Sequence, residues 1–248
     1  MEVPLFMDDT GISAELHIMP DLLHVCYLGV YSRYVGLVIW DALDSNVWNS
    51  TGKSKRERDS ANLECVWSDI DRWYGRTKVP SSERLQQLVM TMLGSSEHRD
   101  FKVKRGEAGR LVGWAADFSA RMRAGLRHGA ILEAAGSSLV VYMETLATSG
   151  MKLTVPQRQA ALDACLRHIT VLREGEFGVT PKYHMWVHLT LKSADSNPRW
   201  WTTWLDESLN SVLAAAARAS HRMTWEQSIM TRVRLLAALR PDACWAAF

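Results

Sequence analysis

The chain has 248 residues, and its hydrophobic content of 47% and charged content of 23% are typical of a globular protein that buries a core. A net charge of +2 is too small to indicate a nucleic-acid binder from charge alone. The four cysteines are far apart and form no C-x-x-C pair: Cys26, Cys65, Cys165 and Cys244. Their spacing argues against a disulfide scaffold or a local zinc ribbon and favours a reducing compartment.

Neither the N-terminus nor the longest apolar run predicts export or membrane insertion. The opening MEVPLFMDDTG carries acids and no long apolar stretch, so we expect no signal peptide and a nuclear or cytoplasmic protein. The apolar run at residues 25–43 is interrupted by Tyr31-Ser32-Arg33-Tyr34 and by Asp41. Because a membrane span needs about 20 mostly apolar residues, we expect a buried helix here and no membrane partner.

Hydrophobic periodicity predicts helices along most of the chain. Asp21, after Pro20, suits the start of the first helix, and Thr154, Pro156 and Gly175 have the cap, first-turn and stop chemistry of another. Further helices are expected at about residues 55–74, 83–93, 107–123, 130–149, 206–219 and 224–239, with Pro181 at the head of one more segment. The predicted fold is mainly α, a bundle of eight or nine helices with room for one or two short strands, one of them within residues 176–190.

Three polar clusters are candidates for function, and the first lies at the start of the first helix. Asp21 and His24 stand at i and i+3, so both side chains share one helix face. Asp21 can hold the His24 ring in one tautomer, as carboxylates beside working histidines do. The alternative is that Asp21 caps the helix and His24 is a half-buried core histidine.

The second cluster is PKYHMWVHL, in which His184 and His188 stand at i and i+4. On a helix this spacing can place two imidazoles on one metal ion, but no glutamate occupies the H-E-x-x-H position. Lys182 beside them suits a phosphate contact. The alternative is a structural seam of aromatic and histidine side chains.

The third cluster is RWWTTWLDESLN, where Asp206 and Glu207 follow three tryptophans at the start of a predicted helix. Carboxylates of this kind can ligate Mg²⁺. The alternative is that they only stabilise the first helical turn, where the helix macrodipole favours negative charge. No G-x-x-x-x-G-K-[ST], G-x-S-x-G or G-x-G-x-x-G motif occurs in the sequence.

Taken in order, the three clusters resemble a known group of proteins. The segment PDLLHVCYLGVYSRYVGLVIWDAL resembles the D-x-L-H-x-x-x-L-G-V segment of eukaryotic cut-and-paste DNA transposases, the RNase H-like enzymes of the CACTA, hAT and KDZ kind. PKYHMWVHL is similar to the Pro-Lys-x-His segment that closes their helical insertion, and NPRWWTTWLDESLNSVLAAAARASHR looks like their final block. The resemblance implies that Glu207 is the third acid of an Asp-Asp-Glu triad and a metal ligand, with Asp206 a weaker choice. It also implies that Asp21, His24, Lys182, His184 and His188 are structural motif residues.

The sequence departs from that group in one large respect. The transposases carry two catalytic aspartates on strands upstream of the Asp-x-x-His motif, yet only 20 residues precede Asp21, and Asp8 and Asp9 lie in no strand pattern. We therefore expect an N-terminal segment (1–18), a helical insertion-like domain (19–175) and a C-terminal helical part (176–248), without a complete RNase H-like sheet. Two-metal chemistry needs carboxylates that hold both ions about 4 Å apart, so we expect no activity from the isolated chain, and Mg²⁺ as cofactor only if activity survives.

Three functional hypotheses follow from these clusters. The first is a transposase-derived fragment that contacts DNA phosphates through basic patches: Lys53, Lys55, Arg56, Arg58, Lys102, Lys104, Arg105, Arg218, Arg222, Arg232 and Arg234. The second is a helical interaction module, in which 11 tryptophans and apolar helices serve a homo-oligomer or a partner surface. The third is a metal-dependent hydrolase that uses His184, His188 and Asp206 or Glu207.

Overall fold

The described part of the protein is all-helical. A computed structural model describes residues 21–95, 99–103, 105–194, 196–200 and 231. A π-helix, here π1, spans Leu23–Tyr31 and continues directly into α1. The described residues form six α-helices: α1 (Ser32–Ser45), α2 (Lys55–Thr77), α3 (Arg105–Arg121), α4 (Gly129–Thr148), α5 (Val155–Glu174) and α6 (Pro181–Leu191). No strand occurs within the described ranges, so the prediction of a mainly α fold is confirmed.

The continuous helix formed by π1 and α1 lies at the centre of the core. Nearly every side chain of α1 from Tyr34 to Leu43 is buried, which explains why this apolar run tolerates few polar residues. The Ser32 hydroxyl donates to the Tyr27 carbonyl five residues earlier at 3.0 Å, a reach that fits the wide turn of a π-helix. Asn46 then ends α1 with left-handed backbone geometry.

The other helices pack around this centre, with α4 lying between α3 and α5. One contact joins α1 to α4, where the Tyr34 hydroxyl donates to the Leu132 carbonyl at 3.0 Å. A Cβ at Gly136 would lie 2.1 Å from that hydroxyl oxygen, so only glycine allows the two helices to come this close. The start of α5 is held by a capping box between Thr154 and Gln157, as the sequence indicated for Thr154.

Two predicted elements are wrong. Residues 83–93, predicted as a helix, are mostly irregular chain between two single 3₁₀ turns, Ser81–Glu83 and Met90–Met92. The segment inserts Leu85 and Leu93 into the core, and the Leu85 backbone N–H donates to the Tyr74 hydroxyl at 3.1 Å, so tertiary packing overrides local helix propensity. Residues 181–190, expected within a stretch that could hold a strand, belong instead to helix α6.

The chain divides into two compact units, Met1–Thr202 and Thr203–Phe248. The predicted domain boundary between residues 175 and 176 lies inside the first unit, where α5 and α6 pack together. By length and composition alone, α4 is the one described helix that could cross a membrane, and apolar helices of a protein core have the same composition.

Candidate functional site

The structure brings the first two sequence clusters together at a seam between π1 and the start of α6. Pro181 occupies the first turn of α6, and Thr180 precedes it in extended geometry, so Lys182 projects from the first turn of the helix. The Lys182 ammonium donates to the Leu28 carbonyl of π1 at 2.7 Å. A Cβ at Gly29 would lie 2.5 Å from Lys182 Cδ, so the lysine stem runs directly over that glycine. Leu28 and Gly29 are the L-G pair of the first motif.

Arg33 fastens the same seam from the α1 side. Its Nη2 and Nε donate to the Gly178 carbonyl at 2.9 and 3.2 Å, and its Nη1 donates to Asp100 Oδ1 at 3.2 Å. The Arg33 side chain is only 12% exposed, whereas that of Asp100 is 59% exposed. The largely buried Arg33 side chain therefore links α1 to the Gly178 carbonyl, and its charge is balanced by the solvent-exposed Asp100 carboxylate.

A pocket of about 480 Å³ opens at this seam. Its lining includes three cationic side chains, those of Arg33, Lys102 and Lys182, against the single carboxylate of Asp100. The chain that carries Lys102 is fixed because its backbone N–H donates to the Met92 carbonyl at 2.7 Å. The lining therefore carries more positive than negative charge, beside the N-terminal end of α6, although Arg33 is paired with Asp100 and the Lys182 ammonium donates to the Leu28 carbonyl.

Asp21 and His24 lie at the entrance to π1, in the arrangement that the spacing predicted. The backbone N–H groups of Leu23 and His24 donate to the two Asp21 carboxylate oxygens at 3.2 and 3.1 Å, which makes Asp21 a helix cap. His24 Nδ1 also contacts Asp21 Oδ2. The His24 ring is 54% exposed, so it is not a core histidine.

His184 and His188 lie on the exposed face of α6, with their Nε2 atoms 2.9 Å apart. Tyr183, Trp186 and Leu189 of the same helix are buried, so the histidines face away from the core. Among the described residues, no group of three or more histidine, cysteine, aspartate or glutamate side chains is placed to hold one ion.

Among the described residues, the predicted basic side chains lie at the start of α2 and at the pocket. Lys53 and Arg56 are exposed beside the Ser54-capped start of α2, and Lys55 forms an ion pair with Asp44 at 3.2 Å. Arg58 reaches the Gly52 carbonyl at 3.5 Å, whereas Lys102 lies in the basic pocket. The remaining predicted site residues, or their side chains, lie outside the described part of the chain: Lys104, Arg105, Asp206, Glu207, Arg218, Arg222, Arg232 and Arg234.

Sequence reasoning missed two features. Arg33, the partner of Lys182 in the pocket, was noted only as an interruption of an apolar run. The second is the segment RMRAGLRH, in which Arg121, Arg123 and Arg127 line a shallow pocket of about 570 Å³ before α4. Arg121 pairs with Asp69 at 2.7 Å and Arg123 with Glu133 at 3.2 Å, so much of this charge is already balanced. The density of arginines in eight residues was the available signal.

Comparisons with known protein families, curated proteins and solved structures found no match for this chain.

Proposed function

We propose that the chain is a transposase-derived helical module that contacts the DNA phosphate backbone through the basic pocket, the one lined by Arg33, Lys102 and Lys182. As an isolated chain it neither cuts DNA nor transfers DNA strands. The resemblance of the three ordered motifs supports a transposase origin. The observation that supports the DNA contact is the meeting of Lys182, from the Pro-Lys-x-His motif, with Leu28 and Gly29 of the first motif beside Arg33. Two motifs that are distant in sequence thus contribute to one cationic surface.

The proposal includes a particular architecture. Six α-helices are described, and two more predicted at residues 206–219 and 224–239 would bring the bundle to eight. We further propose that this bundle corresponds to the helical insertion and C-terminal helical part of the transposases, without a complete RNase H-like sheet. The pocket would then bind phosphates in any sequence, because lysine and arginine contacts to the backbone position a duplex without reading its bases.

Salt-dependent DNA binding tests the contact. Binding of the full chain to a labelled duplex is measured by fluorescence anisotropy across a salt series. Lys182→Met keeps the stem over Gly29 and removes the ammonium, so we expect several-fold weaker binding and a salt slope reduced by about 1. Lys102→Met should act in the same way.

Lys152→Ala is the matched control, since it removes one exposed lysine that does not line the pocket. It should leave both the affinity and the salt slope unchanged. A flat salt response of the wild type, or an equal loss for all three variants, would remove the support for this pocket as the DNA contact.

A second function, a helical protein-interaction module, is favoured by exposed apolar side chains near one junction. Met151, between α4 and α5, is 74% exposed, Val155, the first residue of α5, is 68% exposed, and Trp200 is 52% exposed. The Asn197 backbone N–H donates to the Met151 carbonyl at 2.7 Å, which holds the segment before Trp200 against this junction. Exposed apolar groups of this kind are common at interfaces.

Sedimentation velocity, with and without duplex DNA, separates the two functions. A DNA-binding module sediments as a complex only when DNA is added at low salt. An interaction module self-associates without DNA, and Met151→Ser combined with Val155→Ser should return it to the monomer. Self-association that persists in this double variant would argue against the junction as the interface.

A further inference from the structure

The most specific chemical arrangement outside the basic pocket is the histidine pair of α6. The two rings lie 4.4 Å apart between centroids and are nearly perpendicular, at 84°. The Nε2 atoms are the closest atoms described for the pair, at 2.9 Å, and both side chains belong to exposed residues. Two imidazole nitrogens therefore lie next to each other at the protein surface.

The packing of α6 against the core holds the two histidines in this arrangement. Trp186, between the two histidines in sequence, is fully buried and its ring meets the Tyr142 ring edge-on at 4.9 Å. Tyr183 and Leu189 are buried on the same side. Because α6 cannot rotate about its axis without exposing these side chains, His184 and His188 are held one turn apart on an open face.

We propose that His184 and His188 chelate a late first-row divalent metal ion, of the Zn²⁺, Ni²⁺ or Cu²⁺ class, through their Nε2 atoms. Zinc–imidazole bonds of about 2.0–2.1 Å at a tetrahedral angle place two nitrogens roughly 3.3 Å apart. The observed separation of 2.9 Å reaches that value with a small change in side-chain torsion angles. Neither nitrogen needs to leave the helix face on which it lies.

The donor set also defines which ions bind. Imidazole nitrogens suit zinc, nickel and copper, and the affinity order places Cu²⁺ highest, whereas Mg²⁺ prefers oxygen ligands. Within the described residues no third protein ligand joins the pair, and an ion held by two imidazoles alone takes its remaining ligands from water. This metal site goes beyond the proposed DNA contact and does not depend on it.

Metal titration of the full chain, with any affinity tag removed, tests the proposal. Bound Ni²⁺ or Zn²⁺ is counted by equilibrium dialysis for the wild type, His184→Gln and His188→Gln. Each substitution should remove the same single equivalent, because one imidazole alone does not chelate. Circular dichroism checks that the variants remain helical, which we expect because both side chains are exposed.

His24→Gln is the matched control, the same chemical change at another exposed histidine, and it should keep the full number of bound equivalents. A 100-fold excess of Mg²⁺ should not displace the ion. With one equivalent of Cu²⁺, electron paramagnetic resonance should show coupling to two equivalent imidazole nitrogens in the wild type, and this two-nitrogen signal should be absent in either variant. Unchanged binding in both variants, or loss of the equivalent in His24→Gln alone, would show that the pair is only a histidine–histidine hydrogen bond.

Discussion

At the scale of single residues, Gly29 determines where Lys182 can lie. A Cβ added at Gly29 would overlap Lys182 Cδ at 2.5 Å, whereas its next contact, the His24 carbonyl at 3.2 Å, is merely tight. A lysine stem is flexible, so we expect Gly29→Ala to displace Lys182 from the Leu28 carbonyl rather than to unfold the helix. Removing a mid-helix glycine also lowers the entropy of the unfolded chain.

The predicted outcome is that Gly29→Ala weakens DNA binding by less than Lys182→Met does, because it displaces the ammonium without removing its charge, while the free energy of unfolding changes by less than about 1 kcal/mol. In the double variant the two losses should not add, because both act on the same ammonium group. Gly75→Ala in α2 is the control, since nothing lies within 4 Å of a Cβ there. Additive losses in the double variant would mean that Gly29 acts elsewhere.

A second prediction at this scale concerns His168, whose side chain is fully buried and whose Nδ1–H donates to the Ala135 carbonyl at 2.9 Å. Burial disfavours the imidazolium and lowers the pKa of His168 from 6.5 to about 4, although the hydrogen bond opposes this shift. Between these pKa values the unfolded chain binds more protons than the folded chain. Stability therefore falls as the pH drops from 6.5 to 4, by roughly 3 kcal/mol over the whole window.

His168→Asn keeps a donor for the Ala135 carbonyl and cannot titrate, so its unfolding free energy should depend less steeply on pH across that window. Urea unfolding at pH 7.5, 6, 5 and 4 measures the difference between wild type and variant. His168→Gln serves as a second non-titrating variant if the first is too unstable to fold. Parallel pH profiles would contradict a neutral, buried His168.

At the scale of elements, local signals located most of the helices. Thr154, Pro156 and Gly175 predicted the bounds of α5 to within a residue, because capping and helix-breaking chemistry act over one turn. The same reasoning failed for residues 83–93. Their good helix formers are held in irregular chain by contacts with the Tyr74 hydroxyl and the core, which are distant in sequence and leave no local pattern.

Prediction of the candidate site succeeded where one helix decides the geometry and failed where tertiary packing decides it. The i, i+4 spacing correctly predicted that His184 and His188 share a face, because helix periodicity alone decides it. The role of Arg33 was missed because its partners, Gly178 and Asp100, come from loops that only tertiary packing brings to α1. A charged residue inside a buried apolar run was the one local sign of it.

At the scale of the whole molecule, the described structure contains the first two of the three motifs that carry the resemblance, but not the third. Glu207, the position onto which the resemblance carries catalysis, lies outside the described residues, whereas the basic pocket lies within them. The proposed DNA contact and the proposed catalytic position therefore fall on different residues, so substitutions can test them separately. A chain that binds phosphate through Lys102 and Lys182 needs no metal ion to do so.

The last prediction concerns DNA nicking and strand transfer. Phosphoryl transfer by this class of enzyme needs carboxylates that hold two metal ions about 4 Å apart, and Glu207 by itself supplies only one. We therefore expect no nicking or strand transfer when the full chain is incubated with supercoiled and labelled linear DNA in Mg²⁺ or Mn²⁺, at concentrations where anisotropy shows the DNA to be bound. Glu207→Ala should bind DNA as the wild type does, whereas Lys182→Met should bind it less. Metal-dependent nicking that disappears in Glu207→Ala would show that the chain assembles an active catalytic centre. The proposal of a DNA-binding module without catalytic activity would then be wrong.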